Sequence, residues 1–470
     1  MGDKNLEAKK TPRKQKRDVA IRNMTKIIII EGLVLATLII IFCALKLSKA
    51  RRSGEKEQQV MAVISPTPDP NVTPTMTPEQ KEDQEQKKQV KYLKYAAKMA
   101  AGYDYDGAIE YLKSYGDDYL KLDKFTAAIA DYEAKKAACV KFGAYDSATE
   151  VNHIFFHSLI YDTEKAFKAH EANGYNYYMT TISEFKEMMQ QMYDAGYVLV
   201  SIHDVVKPVT REDGTTGYAE GDIMLPPDKK PFVLSQDDVN YYTYMEGDGF
   251  ATRAAIDENG KPSTEIIEAD GTSKIGDFDL VPVLERFIEE HPDFSYKGAR
   301  GIICLTGYEG TLGYRTDPGS KDSKTYEQDK KTVQKIAEVM KKYGWEFACH
   351  SNGHRDMGEC TQAFLEKDTK SWLADVGSLV GETDLYVYPF GIDIQAGIKP
   401  YSNAKYEYLK ASGFHIFCGV EAKPWMQIKP DYVRMQRRPL DGQAMLMYPE
   451  RLADLFDLSK VIDPSRPKLQ

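Results

Sequence analysis

Cysteine is scarce, at six in 470 residues, and no two stand at the tight spacing of a disulfide framework. A small stapled scaffold is therefore excluded, and the chain must hold itself together by burial. Cys304, Cys349 and Cys418 fall inside apolar runs, where a thiol serves as a small hydrophobe. Positive charge is also lacking outside the N-terminal segment. Residues 1–56 carry 14 basic and five acidic groups, a net +9, so within a total of −9 the remainder bears −18. Such an acidic bulk gives no reason to expect a nucleic-acid partner. Disorder is excluded over most of the length, because 42% of the residues are apolar and 11% aromatic, enough for one large core and a smaller module.

Only one long apolar run is present. Residues 27–47 are apolar except for Glu31, Thr37 and Lys46, and the length suits the ~20 residues that cross a hydrocarbon core of ~30 Å. The basic residues 1–26 ahead of it favour a cytoplasmic tail, a single-pass transmembrane helix at the cell membrane and an extracellular remainder. A cleaved signal peptide is the competing reading, but the run is long for one and no small-x-small site follows. Residues 48–80 form a linker with Pro66, Pro68, Pro70, Pro74 and Pro78 among Thr and Asp, a composition that stays extended. Residues 81–147 read as a helical module whose units, around Ala108-Ile-Glu-Tyr-Leu112 and Ala128-Ile-Ala-Asp-Tyr132, resemble tetratricopeptide repeats. They number too few to stack alone. Packing against the rest of the chain is the simpler reading; a protein partner docking there is the alternative.

From 148 to 470, apolar strand-like runs alternate with amphipathic helical ones, which predicts an α/β fold with a parallel sheet and outer helices. Residues 239–275 break that rhythm with Gly247, Gly249, Gly260 and Gly271 among short alternating segments, which predicts a β-hairpin insertion.

Three segments carry the chemistry: Leu234-Ser-Gln-Asp237-Asp238, His350-Ser-Asn-Gly-His354 and Tyr388-Pro-Phe-Gly391. The first two end apolar runs that read as strands, where catalytic groups of barrel-like α/β folds sit. Two imidazoles and one carboxylate match catalytic sites for zinc or related metals, so Asp238, His350 and His354 are the expected ligands. Alternation turns Asp237 away from Asp238, leaving it free as a general base toward water. Cys349, beside His350, is turned away in the same manner. A backbone N–H at Phe390 is the expected oxyanion donor.

These motifs resemble those of the polysaccharide deacetylases, the NodB-homology carbohydrate esterases, over residues 153–470. His153-Ile-Phe-Phe-His157-Ser is similar to the first strand of that family's extracellular branch. The resemblance implies a distorted (β/α)7 barrel, a Zn²⁺-type divalent metal and removal of acetyl groups from a polysaccharide. N-acetyl is the leading substrate; an O-acetyl esterase, or a weakly active glycan-binding scaffold, are the alternatives. Two departures stand out. Val387 occupies the position where the family often has an Arg, which removes the usual partner of Asp237 unless Arg437 or Arg438 substitutes for it. The family's late general-acid His has no counterpart either, since the only His after His354 is His415, in an apolar stretch. Tyr241, Tyr242, Asp393 and Trp425 are expected to line a sugar groove, and His157 to support the site by a hydrogen bond.

Overall fold

The computed structural model describes residues 76–142 and 151–469. The expected membrane span, 27–47, lies outside them, as do the basic tail and nearly all of the linker. Among the described residues no helix is long and apolar enough to cross a membrane. The chain divides at Lys81 into two units, and every described strand belongs to the larger one, Glu82–Gln470.

Eight parallel strands form its centre: β1 (Asn152–Phe156), β2 (Tyr197–Leu199), β3 (Lys230–Gln236), β4 (Ile302–Leu305), β5 (Glu346–Cys349), β6 (Leu385–Val387), β7 (Ile416–Val420) and β8 (Val433–Pro439). Seven of them close a barrel in the order β4-β5-β6-β7-β8-β1-β3, with β3 pairing back to β4. This is the (β/α)7 barrel expected from the motifs. The distortion lies on one edge of β3: Lys230–Phe232 pairs with β2, but Ser235 and Gln236 pair with Ile302 and Ile303 of β4. β2 ends at Leu199, and Val200, Ile202, Val205 and Val206 just after it are buried in the interior cluster.

Strand alternation sorts the side chains into two cores. Val233, Ile302, Cys304, Ala348, Leu385, Val387, Ile416, Cys418, Val433 and Met435 fill the barrel. Their neighbours Ile154, Phe156, Leu234, Ile303, Leu305, Phe347, Cys349, Tyr386 and Phe417 pack outward under the helices. Cys349 thus faces away from the site, and the five described cysteines are all unpaired.

The N-terminal helices α1 (Pro78–Ala101), α2 (Tyr105–Lys113) and α3 (Asp123–Ala138) share the interior core, with Ala96, Ala108, Leu112 and Phe125 continuous with the barrel floor. Two hydrogen bonds fasten them there, from Tyr103 Oη to Asp293 O (2.9 Å) and from Lys297 N to Gly102 O (2.7 Å). Outer helices include α4 (Ile182–Asp194), α5 (Leu280–Glu290), α6 (Tyr326–Tyr343) and α7 (Gln362–Trp372). α4 starts at a reciprocal cap between Thr181 and Glu184, the expected device for satisfying free amides at a helix start. The insertion is a three-stranded antiparallel meander, Arg253–Ile256, Pro262–Ile267 and Ser273–Gly276, one strand more than a hairpin.

His203 lies in the short helix Ile202–Val205 that follows β2. Its Nδ1 meets Glu346 Oε2 at 2.6 Å and its Nε2 meets Asp384 Oδ1 at 3.0 Å. Burial pulls its pKa down, but the bonds to Asp384 and Glu346 win and raise it to about 10. A raised folded value means the contribution to stability is full below about 6.5, the unfolded value, and is lost as pH rises through about 10. The ring is 39% exposed, so solvent screens the effect. Urea midpoints measured from pH 6 to 10 should therefore fall modestly, and a His203→Gln variant should flatten that fall.

Candidate functional site

The C-terminal mouth of the barrel gathers the polar residues that alternation points inward. β3 delivers Asp237 one residue beyond its end, β5 delivers His350 in the same way, and β8 delivers Arg437 from within the strand. All three are buried. Asp238 then turns by adopting a left-handed backbone (φ 56°), and Ser351 and His354 do the same (φ 57° and 47°). Left-handed backbone is costly for residues other than Gly and persists where surrounding structure enforces it. Asn240 supplies part of that enforcement, since its amide donates to Thr306 O at 2.8 Å and accepts from Thr306 N at 3.1 Å.

Asp238, His350 and His354 come together, with one donor atom from each lying within 4.8 Å of the others. His350 Nδ1 lies 2.8 Å from Val387 O. A carbonyl can only accept, so Nδ1 carries the proton and Nε2 keeps its lone pair, the tautomer a ligand needs. Burial lowers the pKa of His350 against the opposing pull of Asp237 and Asp238, favouring the neutral ring. His354 Nε2 stands 3.6 Å from Asp238 Oδ2. The other oxygen, Asp238 Oδ1, accepts from Tyr242 Oη at 2.8 Å. Burial and the Asp238 carboxylate push Tyr242 well above its ordinary range, so its hydroxyl remains a donor. Donor set, tautomer and carboxylate orientation all fit a divalent cation.

Asp237 meets Arg437 through a bidentate pair, Oδ1 to Nη1 at 2.6 Å and Oδ2 to Nη2 at 2.9 Å. Burial would raise the Asp237 carboxyl, but Arg437 first and His350 next outweigh it and hold it well below the usual carboxylate range. Asp237 Oδ2 is 3.9 Å from His350 Nε2, so the carboxylate borders the metal-ligand trio. Of the two arginines expected as its partner, Arg437 is the one that reaches it. Arg438 is corrected to a structural role: alternation turns it outward, where it binds Asp454 (2.7 Å to each oxygen) and Asn152 (2.5 Å).

Phe390 sits in the turn Pro389–Gly391 with a left-handed backbone (φ 57°), and its exposed ring packs edge-on against His354 at 4.6 Å. His157 follows β1 and faces the same mouth, close enough to Asp237 and to Asp441 for their charges to interact. Its Nδ1 lies 3.1 Å from Tyr178 O, which fixes Nδ1 as a donor and leaves Nε2 available. His415 stays half-buried away from the site, 3.3 Å from Asp431 O.

Three groove expectations need correction. Tyr241 is buried in the outer core and donates to Asp279 Oδ2 at 2.7 Å, so its neighbour Tyr242 alone of that pair reaches the cleft. Asp393 is taken up by Arg434 (2.8 and 3.0 Å) and Tyr401 (2.8 Å), which leaves it a structural anchor. Trp425 packs half-buried against the same Arg434 and does not line the cleft. The cleft, about 630 Å³, is instead lined by Tyr242, Tyr244 and Tyr308 together with Arg355 and Lys367. No motif marks these residues, and only the folded loops bring them together.

Asp368 of α7 is another residue without a sequence signal. Its two oxygens accept from the amides of Asn352 (2.7 Å) and Gly353 (2.8 Å), fastening the loop between the two histidines. Asp368→Asn replaces one acceptor by a donor and frees that loop. Residues that orient metal ligands are worth about 10–100-fold in metal affinity, and a titration with Zn²⁺ or Co²⁺ should show a loss of that order with the fold intact by circular dichroism.

No protein-family model matches the sequence, and no curated protein matches it. Among solved structures, three similar chains are described as deacetylases. The Streptococcus pyogenes deacetylase PplD in complex with acetate is 14% identical with a TM-score of 0.33, covering 66% of this chain and 98% of its own. A de-N-acetylase from Aggregatibacter actinomycetemcomitans is 12% identical with a TM-score of 0.35, covering 65% and 100%. A candidate polysaccharide deacetylase, BA0330, from Bacillus anthracis is 12% identical with a TM-score of 0.35, covering 66% and 69%.

Proposed function

We propose that the protein is a metal-dependent hydrolase that removes acetyl groups, N-acetyl foremost, from a polysaccharide. The observation that carries this reading is the buried, arginine-held Asp237 beside the trio Asp238, His350 and His354. Those three side chains would hold the cation, with Zn²⁺ the best match to two imidazoles and a carboxylate. When bound, it supplies Lewis acidity, lowering the pKa of water and polarising an acyl carbonyl.

The chain's own groups do the rest. Asp237, kept ionised by Arg437, accepts the proton of the attacking water. The turn at Phe390 offers a backbone N–H to the acyl oxygen as negative charge develops there. His157, with Nδ1 bound to a carbonyl and Asp237 and Asp441 nearby, fills the place of proton donor to the departing sugar nitrogen. An amine is a poor leaving group until protonated, so a proton donor at His157 favours N-acetyl over O-acetyl cleavage. The apolar segment at 27–47 and its basic flank support a membrane-anchored protein with this site outside the cell.

Acetate release by the full-length protein from a panel of N-acetylated and O-acetylated glycans tests the reading. Chelation should remove the activity and Zn²⁺ restore it. Metal-loaded protein that frees no acetate from any of them would falsify the proposal.

A further inference from the structure

The cleft that includes Asp238 and His354 is lined by two unlike sets of side chains. Tyr242 and Tyr244 stack with ring centres 5.7 Å apart and planes 12° apart, and Tyr308 leans on Tyr242 at 5.6 Å. Tyr244 and Tyr308 are more than half exposed, so their faces are open to a sugar ring. The same cleft is lined by Arg355, next to His354, and by Lys367, on the exposed face of α7. Neither cation makes an ion pair or a side-chain hydrogen bond within the described residues. The carboxylates of the lining are already engaged, Asp238 by Tyr242 and Asp368 by two backbone amides.

Among the described arginines, Arg355 is one of the few that no carboxylate holds. Most other arginines of the unit are held by a carboxylate, as Arg253, Arg286, Arg300, Arg315, Arg434, Arg437, Arg438 and Arg466 are. In the lining, two carboxylates and these two cations balance in formal charge, but the carboxylates are already bonded and the cations are not. A neutral acetylated sugar needs the tyrosines and the trio but has no group for the two cations.

We infer, building on the deacetylase reading, that the cleft selects an anionic N-acetylated glycan, with a sugar ring on Tyr244 and Tyr308 and an acidic substituent against Arg355 and Lys367. The acidic group is a carboxylate of a uronate or a phosphodiester of a substituted polymer. Both present the oxygens that a guanidinium and an ammonium recognise.

The test compares affinities on the Asp237→Asn variant of the full-length protein, so that binding is read without turnover. The probes are a hyaluronan tetrasaccharide (carboxylate), an N-acetylglucosamine oligomer bearing glycerol phosphate (phosphodiester) and neutral chitotetraose. From the modest strength of exposed charge contacts, one anionic probe should bind about five- to tenfold tighter than the neutral one. That ratio should fall toward one in Arg355→Gln/Lys367→Gln and in high salt, which screens such contacts. Whichever anionic probe shows the larger ratio identifies the substituent. The inference is overturned by a ratio of one, by a ratio that survives the double substitution, or by no binding of either anionic probe. Acetate release is a separate readout: a charge-dependent preference without hydrolysis would keep the cleft assignment and remove the deacetylase.

Discussion

Asp237→Asn should lower the rate of acetate release by about 10²- to 10⁴-fold, the usual range for a positioned general base, with little change in metal content. The asparagine keeps the shape but offers no proton acceptor of comparable strength. It also leaves the Arg437 guanidinium, buried and 1% exposed on its side chain, without its anion, so the variant should be less stable as well as slower. Single-turnover rates at saturating glycan, beside a metal assay and a urea curve, separate these effects. Activity within about threefold of the parent would remove Asp237 from the mechanism.

Arg437→Met should carry the larger stability cost. Removing one member of a buried ion pair typically costs about 3–5 kcal/mol, because the remaining charge is left without compensation. Here Asp237 would remain, buried beside Cys304, and Ser235 would lose a donor at 3.1 Å. The sign with pH follows from the depressed pKa. A carboxyl held below its unfolded value, near 3.9, stabilises the fold above that pH and loses the contribution as pH falls through the folded value. Without Arg437 the Asp237 pKa should rise, so the acid limb of the pH–rate profile should move upward and the stability at pH 5 to 7 should drop. Urea midpoints and pH–rate profiles of the parent, both single variants and the double variant read the coupling directly. If Arg437→Met matches the parent in midpoint and acid limb, the bidentate pair has no part in holding the base.

Much of this architecture was legible in the residues, and the reason is periodicity. The alternating runs that end at Asp237 and His350 mark strands because side chains of a barrel strand alternate between two apolar cores. The same alternation explains why Asp237 and His350 converge while Cys349 does not. The helices Leu280–Glu290 and Tyr326–Tyr343 follow equally from 3.6-residue spacing. Short motifs carried the metal trio, since its residues lie in two compact segments.

What the sequence could not rank was anything set by register between distant strands. Arg437 and Arg438 are adjacent and chemically alike. Only the pairing of β8 with β7 and β1, Arg437 opposite Val420 and Arg438 opposite Ile154, points the first inward to Asp237 and the second outward to Asp454. Tyr241 and Tyr242 pose the same problem, resolved by one residue of left-handed backbone. The composition and motifs of this chain determined a parallel α/β sheet with outer helices and placed Asp237, Asp238, His350 and His354 at strand ends, because local periodicity and spacing encode both. Tertiary structure alone decided which arginine holds the base, that β2 yields its place to a seven-stranded closure, and that tyrosines and free cations share the cleft. Those outcomes depend on contacts between segments from tens to 200 residues apart, which no local pattern records.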